Sequence, residues 1–138
     1  MLAFSDFEHL ALELLQNEQG GPTEIARRVS ARYDVVMVDE YQDTNDLQNA
    51  LYECLAKPDG SNLFFVGDVK QSIYRFRKAN PGISLAKKDR WAAHGRGEYP
   101  AVITLGHNFR SGQGVIGGVN FLFGALMSPE LGEIEYNE

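Results

Sequence analysis

Residues 35–45 read VVMVDEYQDTN: four apolar residues run straight into two carboxylates, with a glutamine and a third carboxylate close behind. A continuous valine-rich run predicts a strand covered on both faces, the habit of parallel sheets. Asn45 and Gln48 then predict the cap of a helix whose apolar face is Leu47, Ala50, Leu51 and Leu55. The loop KPDGSN, residues 57–62, leads into a second buried strand, Leu63 to Val66, which Gly67 stops. Strand, helix, strand is the unit from which parallel sheets are built.

Working outward, the same alternation continues. Ser5-Asp6-Phe7-Glu8 predicts a capping box, and Phe7, Leu10, Ala11, Leu14 and Leu15 repeat at helical spacing to about Asn17. GGP at 20–22 breaks the chain, and Ile25, Ala26 and Val29 predict a short helix before Tyr33. Asn80-Pro81 starts another helix with proline in its first turn. After the loop HGRGEYP, residues 94–100, Ala101 to Leu105 reads as a third strand. Ser111 begins a helix with the stripe Val115, Val119, Leu122, Phe123 and Leu126. The expectation is one α/β domain over residues 1–138, with a mostly parallel sheet flanked by helices.

Composition narrows the classes. The chain has 138 residues, 43% hydrophobic and 23% charged, as a folded domain does and a disordered chain does not. No apolar run approaches the roughly 20 residues that span a bilayer, so no membrane partner is expected. The N-terminal stretch has no basic region followed by a small-residue cleavage site, so no secretory signal is expected. Cys54 is the single cysteine, which excludes an internal disulfide and makes the cytoplasm the expected location. The net charge is −6, yet residues 67–96 hold eight basic side chains (Lys70, Arg75, Arg77, Lys78, Lys87, Lys88, Arg90, Arg96) against Asp68 and Asp89. A basic segment on an acidic chain suits either a specific anionic partner or a solvated helix face.

Ligands of open parallel sheets sit beyond the carboxyl ends of the strands. Asp39-Glu40 follows the first strand, Gly67-Asp68 and then Gln71 the second, and Asn108-Phe109-Arg110 the third. Adjacent carboxylates point in different directions and can divide two tasks. One can bind a hard cation that carries substrate phosphates; the other can orient or deprotonate a water. Hydrolysis of a nucleoside triphosphate needs both, with cations on the transferred phosphoryl group. A bare acidic pair, by itself, equally suits a strand end before a helix N-terminus.

The longer motifs carry a resemblance. VDEYQDTN is similar to the Walker B region of superfamily-1 DNA helicases of the UvrD/RecB group. VGDVKQSIYRFRKANP, residues 66–81, resembles their third motif, and ITLGHNFRS, residues 103–111, their fourth. FSDFEHLALELL near the start and GEIEYNE at the end resemble the AddA branch, the helicase/nuclease component of a double-strand-break repair complex. The resemblance covers essentially the whole chain. It implies a RecA-like P-loop NTPase fold, ATP and Mg²⁺ as cofactors, single- and double-stranded DNA as substrate, and a partner nuclease subunit of the AddAB type.

Residue by residue, the resemblance gives Asp39 the Mg²⁺ and Glu40 the attacking water. Gln71 senses the γ-phosphate, and Arg110 acts on it as an arginine finger in cis, a role that suits a planar, permanently charged guanidinium. Phe109 lies against the adenine, where relatives often have tyrosine. Tyr74 and Phe76 stack on single-stranded bases, with Arg77 linking them to the nucleotide. For both aromatics, packing in the core is the competing reading. His107 departs from the family pattern and receives no role. The run Gly112 to Gly117 spells G-x-G-x-x-G, with Glu133 and Glu135 further on. It lies several residues past the strand, without the βαβ context of a dinucleotide fingerprint.

No G-x-x-x-x-G-K-[ST] occurs in the sequence, so the Walker A cradle for the phosphates is missing. The resemblance therefore implies a piece of a larger protein, roughly the second half of its first motor domain, inactive as an ATPase on its own. The alternative is a stand-alone, non-catalytic α/β module that binds DNA or protein. The family's Walker A strand would lie beside Leu63 to Val66. Ala101 to Leu105 is expected to close that gap, leaving an apolar patch and a weak tendency to self-associate.

Overall fold

The first three helices of this chain begin where a side chain accepts a backbone amide at the N-terminus. In the computed structural model, which describes residues 3–95, 98–128, 130 and 136, helix α1 spans Phe4–Leu15. Its cap is not the expected Ser5–Glu8 box. Asp6 sits three residues past Ala3, and its carboxylate accepts the Ala3 N–H at 2.7 Å. Glu8 is thereby left to accept a bond from the Gln48 amide at 2.8 Å, tying α1 to the next long helix. Helix α2, Glu24–Ser30, is capped by Thr23, whose hydroxyl accepts the Ala26 N–H. Helix α3, Asp46–Cys54, carries the expected box: Asn45 Oδ1 accepts the Gln48 N–H at 2.8 Å, and Gln48 Oε1 accepts the Asn45 N–H at 3.2 Å.

The chain divides into two compact units, Met1–Val102 and Ile103–Glu138. In the first, strands β1 (Val36–Val38) and β2 (Leu63–Phe65) pair in parallel, Met37 opposite Phe64, with α3 as the crossover. One face, Val36, Val38, Leu63 and Phe65, is half-buried. Phe65 stacks on the buried Tyr41 ring at 4.1 Å between centroids, and Lys87 Nζ lies 5.5 Å from its ring centre. Lys87 belongs to helix α4, Gly82–Arg90, and pairs with Glu53 of α3 at 3.0 Å. Asn80 Oδ1, just before α4, accepts the Gly82 N–H.

The other face corrects the expectation of two-sided burial: Met37 is 72% and Phe64 46% exposed, flanked by exposed Val35 and Val66. The apolar run is a strand, but nothing among the described residues covers this side. The third strand is also shorter than expected. Only Ala101–Val102 (β4) is extended and paired, and its partner is Ala92–Ala93 (β3), not β2. A partner nine positions back closes a much shorter loop than β2 would, at lower entropic cost. The His94 N–H bonds Val102 O at 2.8 Å and ends the ladder; Ile103 and Leu105 beyond it are exposed. The α/β class holds, as helices with two short parallel sheets rather than one sheet of three strands. Among the described residues no helix is long and apolar enough to cross a membrane.

In the second unit, helix α5 spans Gln113–Leu126 and buries none of its residues. Its expected stripe, Val115, Val119, Leu122, Phe123 and Leu126, is exposed. Tyr136 bonds Asn120 through its hydroxyl, and its ring lies 6.1 Å from that of Phe123.

Candidate nucleotide and DNA site

At the end of β1 the chain turns sharply, because Glu40 adopts the left-handed conformation (φ 50, ψ 41). For a non-glycine residue this costs of order 1 kcal/mol, and such strain gathers at functional positions. Asp39 Oδ1 accepts the Glu40 N–H at 2.9 Å, which steadies the turn. The following turn, Tyr41–Asp43, is pinned to the other strand by the Tyr41 N–H on Val66 O at 2.8 Å. The Tyr41 phenol bonds Asn49 Oδ1 of α3, and burial pushes its pKa above the ordinary 10.0, with Glu53 and Tyr52 acting in the same direction.

Gln42, 1% exposed, fills the gap between the two strand ends. Its Nε2 donates to Glu40 Oε2 at 2.6 Å, and its Oε1 accepts the Asp68 N–H at 3.0 Å. Asp68 in turn accepts from Lys70 N at 3.0 Å and from Gln71 Nε2 at 3.1 Å, and its carboxylate lies 3.4 Å from Lys70 Nζ. Glu40 and Gln71, expected from sequence to share a site, thus stand at the two ends of one continuous set of contacts. Sequence reading placed Gly67 and Asp68 at the end of the second strand without giving either a role, and it passed over Gln42 as a functional candidate. The signal for Gln42 was a polar residue shortly past a strand, inside a motif whose acids drew the attention.

The donor set at β1 suits a hard cation in one way only. Asp39 is an exposed carboxylate, and no three His, Cys, Asp or Glu side chains gather among the described residues. Such a set would fit Mg²⁺ only with phosphate and water completing the shell. It is not a cage that would hold a metal alone.

Beyond Gln71, a turn at Arg75–Arg77 sets out the aromatic pair. Phe76 is 76% exposed and Tyr74 is exposed beside it, with ring centroids 5.9 Å apart, so neither is a core residue. The Arg77 guanidinium lies 5.2 Å from the Tyr74 ring centre and 5.5 Å from that of Phe76. Lys78 closes the turn in the left-handed conformation, and buried Ala79 anchors it. Within the basic segment Lys70 and Lys87 are ion-paired, so its charge is partly committed to the fold.

Phe109 and Arg110 lie in the second unit. Asn108 Oδ1 accepts the N–H groups of both Arg110 and Ser111 at 2.9 Å, a local turn that presents Phe109 almost fully to solvent. His107 lies against the Phe109 ring, 6.1 Å between centroids. The glycine run 112–117 starts at the cap of α5 and continues inside it, not in a strand-to-helix turn. Glu133 and Glu135 lie outside the described residues.

The sequence is similar to those of known proteins. The family model described as "UvrD/REP helicase N-terminal domain" matches residues 1–92. Three relatives from Staphylococcus aureus, strains JH9, NCTC 8325 and N315, are named as subunits of an ATP-dependent helicase/nuclease. Each is 44% identical over 140 aligned residues. Each match takes in 100% of this chain and 11% of the relative, so the chain spans about a tenth of their length.

Proposed function

The chain belongs to the UvrD/REP helicase family, and from that premise we propose that it is the Walker B-to-fourth-motif segment of an AddA-type, ATP-dependent helicase/nuclease. On this reading both units belong to one RecA-like motor domain that couples ATP hydrolysis to movement along single-stranded DNA. The whole protein acts in the cytoplasm in double-strand-break repair, with a partner nuclease subunit.

The supporting observation is the continuous contact path from Glu40 through Gln42 and Asp68 to Gln71, directly before the exposed Tyr74–Phe76 pair. An acid suited to activating water and a segment suited to meeting bases are mechanically joined over a few residues. Asp39 would hold Mg²⁺, which supplies charge neutralisation on the phosphates. Glu40 orients and deprotonates the attacking water. Gln71 meets the γ-phosphate, Arg110 stabilises the charge that develops on it, and Phe109 stacks on adenine. Tyr74 and Phe76 stack on bases, and Arg77 holds the two rings together while adding positive charge near the backbone.

The test is Glu40→Gln in the full-length helicase/nuclease. Single-stranded-DNA-stimulated ATP hydrolysis is expected to fall by about 10²-fold or more, the scale of a general base, with ATP still bound. Undiminished turnover would overturn the assignment.

A further inference from the structure

We infer that Gln42 is a positioning residue for Glu40, a side-chain clamp that fixes the carboxylate from the segment following β2. The inference rests on the reading of Glu40 as the base. Hydrogen-bond chemistry sets the orientation of the Gln42 amide. A backbone N–H can only donate, so the Gln42 atom 3.0 Å from Asp68 N must be the amide oxygen. The amide NH₂ is then forced towards Glu40, where it donates to Oε2 at 2.6 Å. Such a donor requires an acceptor lone pair at that oxygen. It fixes which way the carboxylate faces and leaves the other oxygen for a water.

The clamp has no slack. Gln42 is buried, and Gly67 presses on its Oε1 so closely that a Cβ there would come within 2.5 Å. Its own carbonyl accepts the Ser72 hydroxyl at 3.4 Å. Gln42 is therefore held from both ends by residues 67–72, and the place of the Glu40 carboxylate depends on where that segment lies. The Glu40 backbone N–H is taken by Asp39 Oδ1, and its carboxylate has no hydrogen-bond partner besides Gln42 among the described residues.

Two variants separate clamp from scaffold. Q42E keeps an acceptor for the Asp68 N–H but replaces the donor to Glu40 with a like charge. Q42L removes both bonds. In the 138-residue chain, amide exchange at Asp68 should be at least about fivefold faster in Q42L, the scale of one hydrogen bond, and near wild type in Q42E. Unchanged exchange in Q42L overturns the clamp.

In the full-length helicase/nuclease, Q42E should lower kcat for DNA-stimulated ATP hydrolysis by about 10²-fold, the loss expected of a misplaced catalytic group, with KM for ATP nearly unchanged. A rise in KM at constant kcat overturns the inference. In an E40Q background, Q42E should add almost nothing, whereas a multiplicative loss would mean that Gln42 acts apart from Glu40. If E40Q alone leaves kcat intact, the function assigned to Glu40 fails. If E40Q abolishes turnover and Q42E does not alter it, only the positioning role fails.

Discussion

Gly67→Ala is the sharpest perturbation that the structure offers. Gly67 has an ordinary negative-φ backbone, so its requirement for glycine is steric alone. An added Cβ would meet Gln42 Oε1 at 2.5 Å and the backbone nitrogens of Gln42 and Tyr41 at 3.1 Å. The Oε1 contact needs about 1 Å of retreat to reach ordinary van der Waals separation. That movement breaks the 3.0 Å bond from the Asp68 N–H, and the two backbone nitrogens, tied into the Tyr41–Asp43 turn, have little room to give. Overpacking costs about 1–3 kcal/mol, and the lost hydrogen bond adds about 1 kcal/mol. The reduced freedom of the unfolded chain returns about 0.4–1 kcal/mol. A net loss of about 2 kcal/mol follows, or about 1 M in the urea midpoint for a domain of this size. Urea unfolding followed by fluorescence, with amide exchange at Asp68, measures both parts. A loss below about 0.5 kcal/mol with Asp68 exchange unchanged would refute the close packing of Gly67 on Gln42.

Phe76→Ala should leave thermal stability within about 0.5 kcal/mol, because the ring is mostly exposed. In the full-length helicase/nuclease it should weaken single-stranded DNA binding by about 1–3 kcal/mol, as read by fluorescence anisotropy. The buried Tyr41 phenol, held above its ordinary pKa of 10.0, contributes stability that is complete below that value. The contribution is lost as pH climbs through the raised folded value, since the unfolded chain ionises first. Tyr41→Phe should flatten the decline in unfolding free energy between about pH 9 and about pH 11. It should not abolish it, because burial raises Tyr52 as well. Identical slopes in the two proteins would count against burial as the cause.

Much of this was legible in sequence where the physics is local. The Asn45–Gln48 box formed because both partners lie within one turn, and the strands at 36–38 and 63–65 formed where the apolar runs placed them. Local reading failed where a competitor stood nearby: Asp6 was better placed than Glu8 to cap α1. It failed again where the outcome depended on distant cover. The valine-rich run implies two covered faces, and the exposed Met37 and Phe64 show that one cover is not supplied by the described residues. Similarly, the apolar stretch 101–105 has strand character throughout, but only the two residues that found a partner adopted it. The acids at the site were visible as a motif, whereas the role of Gln42 arises from an N–H that lies 26 positions away.

Among the described residues, the two largest fully buried side chains are Gln42 and Asn62, neither of them apolar. Asn62 stands at the opposite end of the β1–β2 pair, where Oδ1 accepts the Lys57 N–H at 2.7 Å and Nδ2 donates to Leu55 O at 3.0 Å. Leu55 O also accepts the Ser30 hydroxyl at 2.7 Å, so this end joins α2, α3 and β2. The Asn62 amide therefore satisfies two backbone groups and the Gln42 amide one, which an apolar side chain would strand at about 1–3 kcal/mol apiece. The two differ in what they hold. Asn62 bonds only backbone, and its bonds close the loop between α3 and β2 wherever the rest of the chain lies. Gln42 spends one end of its amide on backbone and the other on a carboxylate that the fold itself does not need. On the proposed reading, that asymmetry separates the end of the β1–β2 pair where a buried amide holds a carboxylate from the end where a buried amide only closes backbone.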